Sequence, residues 1–374
     1  MTGNYHKIGD YISVIDNRNT DGSITKLMGI SIDKCYIPSV ANVIGTDLSN
    51  YKVIRRGQFA CSLMQVSRDQ RIPIAMYEDD APAIMSPAYV MFEVSHPDEL
   101  LPEYMELWFK RAEFDREASF YAVGGVRGSL DWEDFCKMEL PVPPLSEQRK
   151  IVRDYQVITD RIELLRKMNG VLFDVMNAVY SEWFVQFQPF GGIKPSDWTD
   201  GKIEDIAEFY DYLRKPLSGE EREGMQKLYP YYGAISLVDY VEDYLFDDTY
   251  VLLSEDGANI LDEKGHPSLQ FIHGKVWVNN HAHVLKAKNG FSDASLYVFL
   301  SNMQMQTIVT GAAQPKINQE NLRSFPAVVP AQNTLEEFNR LVDPLFLRVS
   351  ENNDEIDKLE RLKLLFSNQL SKGA

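Results

Sequence analysis

Cysteine is scarce in this chain of 374 residues, with only Cys35, Cys61 and Cys136. The number is odd and no pair has C-x-x-C spacing, which excludes a disulfide framework and a structural zinc site and fits a reducing compartment. Nowhere do about 18 apolar residues run together, and Met1 to Asp10 holds no apolar segment of the kind that directs export. The expectation is a cytoplasmic chain without contact to a membrane. Basic residues are also short: 38 Lys and Arg against 55 Asp and Glu leave a net charge of −17, which on its face opposes a life on a polyanion. Enzyme signatures are missing as well. There is no phosphate-cradling Gly loop, Ser254-Glu-Asp-Gly257 lacks the G-x-S-x-G frame, and no Asn/Asp-Pro-Pro-Tyr/Phe segment occurs. Glu78-Asp79-Asp80 reads as a solvated acidic turn. His281 and His283 fall on one side of a strand without a companion ligand motif, so no metal site is expected.

What the chain does have is a repeat. At an offset of 187 residues, Asp131-Trp-Glu-Asp-Phe135 aligns with Asn318-Gln-Glu-Asn-Leu322, and Leu140-Pro-Val-Pro-Pro144 with Ala327-Val-Val-Pro-Ala331. Near the start the offset drifts to 195, where Lys7-Ile-Gly-Asp10 meets Lys202-Ile-Glu-Asp205. Chance similarity of two helices would not also align the Pro-containing strand and the loop before it, so the chain reads as a duplication. Each half is a globular segment followed by a long helix: 1–145 and then 146–186, 187–332 and then 333–374. The globular segments alternate short apolar runs with turn residues, among them Phe59–Met64, Ala88–Val94, Thr249–Leu253, Lys275–Val278 and His283–Ala287. One helix per segment is predicted, at Pro102–Glu117 and at Asp293–Val309. The class is α+β, with two modules of mixed character.

The long helices carry heptads. The first has a-position residues Tyr155, Ile162, Asn169, Met176 and Trp183 and d-position residues Ile151, Ile158, Leu165, Leu172 and Val179; the second has Val342, Val349, Ile356, Lys363 and Leu370 with Phe338, Leu345, Asn352, Leu359 and Phe366. In an antiparallel pair the partner numbers sum to a constant. Setting Asn169 against Asn352 makes that sum 521, which also sets Ile151 against Leu370, Tyr155 against Phe366 and Trp183 against Phe338. A parallel pairing would leave two buried amides without partners, at about 1–3 kcal/mol each. The prediction is an intramolecular antiparallel coiled coil with an Asn–Asn layer setting its register. The 32 residues from Ile151 to Trp183 span about 48 Å at 1.5 Å per residue. The expected shape is a dumbbell with pseudo-two-fold symmetry. Pro344 is expected to begin or kink the second rod, since proline inside a helix costs about 3 kcal/mol.

Two similar modules on a rod suit a DNA site of matching symmetry, with two half-site readers separated by a ruler. Leu140-Pro-Val-Pro-Pro-Leu-Ser-Glu-Gln148, Ile162-Glu-Leu-Leu-Arg-Lys-Met-Asn169 and Trp183-Phe-Val-Gln-Phe187 closely resemble the first conserved region of the specificity subunit of type I restriction-modification systems. Val342-Asp-Pro-Leu-Phe346, Leu362-Lys-Leu-Leu-Phe366 and Leu370-Ser-Lys-Gly373 resemble the distal one. The resemblance implies a subunit without chemistry of its own. Each target recognition domain would read half of a bipartite double-stranded DNA site, and the coiled coil would dock two methyltransferase subunits that bind S-adenosylmethionine. Restriction subunits that use ATP and Mg would join the same assembly, and this chain itself would bind no cofactor. The second copy departs from the pattern: Val329-Pro-Ala-Gln-Asn-Thr-Leu-Glu-Glu337 lacks the double Pro and the Gln. The rival reading from a different class is an acidic, duplicated coiled-coil scaffold that binds proteins and reads no DNA.

The acid lies on the modules, −15 on the two globular segments against −2 on the two helices, so DNA binding requires local basic faces. Candidates in the first module are Arg55, Arg56, Arg68, Arg71 and Arg127, the last in Gly124-Gly-Val-Arg-Gly128. Arg suits bidentate guanine contacts and phosphate clamps. In the second module they are Arg214, Lys215, Asn279, Asn280, Gln314 and Lys316; Gln314 falls on Arg127 at the 187 offset, and amides such as Asn279 and Asn280 can read adenine.

Overall fold

The computed structural model describes residues 5–39, 45–64, 66–123, 128–311 and 314–369. It divides into two compact units, Met1–Leu164 with Glu355–Ala374, and Leu165–Asp354.

In unit 1 a four-stranded antiparallel sheet runs in the order Ile12–Ile15, Val90–Val94, Phe59–Cys61, Ile74–Met76. The central run Phe59-Ala-Cys61 is apolar throughout because both faces of the sheet are covered. Phe59 and Cys61 join the helices Pro102–Phe109 and Ala112–Tyr121 in one core, while Ala60 joins Ile54, Tyr77 and Met85 in another. Side chains alternate across a strand, so two cores make an unbroken apolar run rather than an alternating one.

Unit 2 repeats this sheet. Its order is Ala207–Phe209, Ala282–Ala287, Tyr250–Ser254, Leu269–Ile272, again antiparallel, with Val251 and Leu253 in one core and Tyr250 and Leu252 in the other. Each unit also holds a two-stranded ribbon that pairs its first strand with the strand before its long helix. Tyr5 pairs with Pro141 and Lys7 with Glu139; Asp200 pairs with Val328 and Lys202 with Pro326. The partners shift by 195 residues on one side and 187 on the other, which are the two offsets of the sequence repeat. Unit 2 adds a second sheet of Leu237–Val241, Tyr229–Tyr232, Lys275–Val278 and Phe246–Asp247.

The long helices run over Leu145–Tyr180 and Gln332–Gln369. The second rod does not begin at Pro344 as expected, since its helix starts at Gln332 and continues through the proline. The first helix ends in a π turn at Ser181–Val185, followed by Phe187 in the left-handed region at φ 54°. At its start Gln148 is fully buried. Its side-chain oxygen accepts from Leu101 N at 2.8 Å, and its Nε2 donates to the carbonyls of Glu99 and Pro143, both at 2.7 Å. That clip pins the helix to the loop before Pro102. The equivalent position in unit 2 is Leu335, also buried, so the second copy substitutes an apolar plug for the hydrogen-bonded one.

The helices pair antiparallel in each unit. In unit 1 Tyr155 meets Phe366 with ring centroids 6.4 Å apart, and Arg161 forks onto Glu355 at 2.7 and 2.9 Å. In unit 2 Trp183 meets Phe338 at 6.0 Å. There Asn352 donates to Asn169 at 2.7 Å, while Asn169 donates to Asn353 at 2.8 Å. Leu370, opposite Ile151 in the 521 register, lies outside the described residues.

Two helix expectations need correction. Pro102–Glu117 is two helices, Pro102–Phe109 and Ala112–Tyr121, because Arg111 is extended at ψ 142°. Lys34 holds the break. Its buried ammonium donates to the Phe109 carbonyl and pairs with Asp115 at 2.7 Å, tying the end of one helix to the start of the next. Asp293–Val309 stops at Ser301, where the Asn302 side chain turns back to the Val298 carbonyl at 2.8 Å and also reaches Asn177 at 2.9 Å.

Candidate nucleic-acid interface

In unit 1 the candidate cations lie on turns at the sheet's rim. Arg55 and Arg56 occupy the exposed turn between Lys52–Ile54 and Phe59–Cys61, which Gly57 closes at φ 81°. Arg68 lies in the short helix Val66–Asp69 and Arg71 follows it. Arg127 lies outside the described residues, but Gly128 at the end of its loop packs on Ser67. A Cβ on Gly128 would come within 2.2 Å of Ser67 Oγ, which places the loop's end next to Arg68. Three of these arginines face carboxylates: Arg56 pairs with Asp80, Arg68 with Asp69 and Arg71 with Asp33.

Unit 2 draws its candidates together more tightly. Lys215 N donates to Val278 O at 3.3 Å, Asn279 Oδ1 accepts from His281 N at 2.8 Å, and Glu255 N donates to His281 O at 2.9 Å. Ile317 N donates to Glu255 O at 2.8 Å, the counterpart of Leu130 N on Leu63 O at 2.9 Å in unit 1. Those bonds bring the loop after Asp211–Leu213, the start of strand Ala282–Ala287, the end of strand Tyr250–Ser254 and the segment 314–317 to one rim. Lys215, Asn280, His281, Gln314 and Lys316 are exposed there, whereas Asn279 is buried.

Beneath the rim lies a charged network that sequence reasoning missed. Glu255 accepts from Arg214 at 2.6 Å on one oxygen and faces Lys316 at 2.9 Å on the other. Arg214 points inward; it also donates to the Ala282 carbonyl at 2.7 Å and lies 3.3 Å from Asp211. This guanidinium is an organiser of the loop rather than a free reader. Asp211 in turn accepts from Gln319 at 2.7 Å and from Val284 N at 2.8 Å. Burial pushes both carboxyls up, but the partners outweigh it. His283 and Arg214 hold Asp211 below the ordinary carboxylate range, and Lys316 and Arg214 do the same for Glu255. Glu255 in return holds the Lys316 ammonium above its usual range.

The two histidines separate. His283 is fully buried, with Nδ1 2.7 Å from Asp211 and Nε2 2.9 Å from the Ile317 carbonyl, while His281 is half exposed and 2.8 Å from Asp256. Asp211, Glu255 and His283 approach one another closely enough to suggest a cation site. Arg214 already supplies the positive charge, and both His283 nitrogens are engaged by protein oxygens, so neither is open to an ion. The Asp211–His283 pair cannot act as half of a catalytic triad either, because its outer nitrogen is bound to backbone. A signal was available in the sequence: Glu255 ends the apolar run Tyr250–Ser254 and His283 interrupts another, and polar residues in such runs are buried only with partners.

Comparison with known proteins bears on this arrangement. Residues 195–361 match the family model described as type I restriction modification DNA specificity domain. A Haemophilus influenzae chain described as a type I restriction enzyme specificity subunit is 32% identical over 149 residues, 40% of this chain and 37% of that one. The MjaIX specificity subunit of a type I restriction enzyme from Methanocaldococcus jannaschii is 21% identical over 294 residues, 71% of this chain and 67% of that one. The type I restriction-modification S subunit of M. genitalium shares the fold, with a TM-score of 0.58 at 14% identity over 99% of this chain and 96% of that one.

Proposed function

From the match of residues 195–361 to the type I specificity domain and the likeness to two specificity subunits, we propose that the chain is the DNA-reading subunit of a type I restriction-modification complex, working in the cytoplasm. Each unit reads one half of a bipartite site in double-stranded DNA, and the paired helices act as ruler and as dock for two methyltransferase subunits. S-adenosylmethionine, ATP and Mg belong to those partners and to restriction subunits, and this chain performs no chemistry.

The observation that carries the reading is the duplicated sheet. Both units use the same strand order, and both make the same backbone bond at the strand end, Leu130 N on Leu63 O and Ile317 N on Glu255 O. Loops on a rigid sheet are where recognition residues are placed. Docking is supported in unit 1 by Val157 and Leu164, which are exposed and lie seven residues apart on the first helix. Among the described residues no helix is long and apolar enough to cross a membrane.

Methylome sequencing of host cells with and without this chain tests the proposal. A bipartite, asymmetric methylated motif should vanish with the chain, and the assembled complex should protect a duplex bearing that motif in a salt-sensitive manner. An unchanged methylome, together with no DNA retention at about 50 mM salt, overturns it.

A further inference from the structure

Glu255 holds two cations that differ in kind. Arg214 is packed inside, with its guanidinium also bound to the Ala282 carbonyl and beside Asp211. Lys316 lies at the rim with about half of its side chain exposed (47%). Its neighbouring backbone is held from several sides: Ile317 N donates to Glu255 O, Gly257 N donates to Pro315 O at 3.2 Å, and the Ile317 carbonyl faces His283 Nε2. The Lys316 ammonium pairs with Glu255 at 2.9 Å. If Lys316 swings away, Glu255 keeps Arg214 and is not stranded as a buried, unpaired charge.

We propose that Glu255 is a built-in competitor for the DNA phosphate that Lys316 meets, and that this exchange sets how sharply unit 2 distinguishes its own half-site from other sequence. The inference rests on the DNA-reading role above. On a mismatched duplex the rim cannot approach closely, so Lys316 stays on Glu255 and contributes nothing to binding. On the matching half-site Asn280, His281 and Gln314 reach base edges, the duplex comes close, and phosphate replaces the carboxylate. Removing the carboxylate therefore spares the specific complex the cost of breaking one ion pair, whereas a non-specific complex, in which Lys316 meets no phosphate, gains no more than that.

The test uses the full chain assembled with its methyltransferase subunits. The probes are a duplex carrying the host's methylated motif and two versions of it, each with one half scrambled. Glu255→Gln should tighten binding to the matched duplex by up to about fivefold and change the duplex scrambled in the half that unit 2 reads by less than that, so that the ratio between them rises. Lys316→Met should weaken the matched duplex and reduce its salt slope by about one while leaving that scrambled duplex unchanged. In the Lys316→Met background, Glu255→Gln should no longer alter the ratio. The latch is refuted if Lys316→Met weakens matched and scrambled duplexes equally, a result that does not depend on Glu255→Gln folding, or if a folded Glu255→Gln protein keeps the wild-type ratio. A wild-type complex that prefers neither half would instead refute the DNA-reading role.

Discussion

Replacing the asparagines of the coiled-coil layer tests what a polar residue does in the seam. Asn352 is 1% exposed and Asn169 9%, and Asn352 donates to Asn169 at 2.7 Å. The Oδ1 of Asn352 is buried without a partner among the described residues. Asn352→Leu strands Asn169 Oδ1, and Asn169→Leu strands Asn352 Nδ2. Each leaves a buried polar atom unmet at about 1–3 kcal/mol, partly offset by the added apolar burial, for a net loss of about 1–2 kcal/mol. The double replacement removes both stranded groups and the unpaired Oδ1 already present, so it should be neutral or stabilising, with a coupling of about 2 kcal/mol or more. Both residues lie in unit 2. Hydrogen exchange followed by mass spectrometry on peptides covering 165–180 and 345–358 reads the local opening free energy. Each single variant should lose about 5- to 30-fold in protection, and the double should regain wild-type protection or exceed it. Losses that simply add in the double variant would show that the two amides do not depend on each other.

Two further perturbations follow from buried charge. Lys34→Met removes the buried partner of Asp115, and leaving that carboxylate beside Phe109 should cost about 3–5 kcal/mol, with Asp115→Asn in the same chain recovering part of it; thermal unfolding of unit 1 reports the loss, and an unshifted midpoint would contradict the role given to Lys34. Asp211 and Glu255 sit below their ordinary values of 3.8 and 4.5, so their contribution to unit 2 is complete above about pH 4.5 and is lost as acid protonates them in the folded state. Urea unfolding of wild type and Asp211→Asn should differ above that pH and converge below it, and a constant difference down to strong acid would remove the linkage.

The fold was legible where the sequence carries a period or an offset. The ribbon pairs Lys7 with Glu139 and Lys202 with Pro326 reproduce offsets seen in the sequence, because strand pairing preserves residue spacing across a duplication. The helix Pro102–Glu117 was misread because its break depends on Lys34, about 75 residues earlier, and no local signal reports a capping group that distant. At the ends of the seam, Phe184 and Phe346 outcompete ideal heptad positions because they fill the unit 2 core against Phe299 and Tyr297. The site was less legible. Exposed Arg and Lys residues can be listed from sequence, but that Arg214 turns inward while Lys316 stays at the rim depends on Glu255 and Asp211, which arrive from two other segments.

The excess of acid, which seemed to oppose DNA, takes on a different meaning once partners are assigned. Arg56, Arg68, Arg71 and Lys316 each face a carboxylate, and Lys26 pairs with Asp79 as well. The exposed pairs among them, such as Arg56–Asp80 and Arg71–Asp33, are worth about 0–1 kcal/mol, so a phosphate held in good geometry can replace them at small cost. They nonetheless cancel the cations' long-range field, which is what draws a protein onto duplex of any sequence. In the proposed role this favours a reader that ignores DNA until a close fit brings phosphates within reach. It also implies that basic partner subunits supply the initial attraction. Neutralising Asp33, Asp69 and Asp80 together should therefore raise the affinity of the isolated chain for arbitrary duplex more than it raises that of the assembled complex.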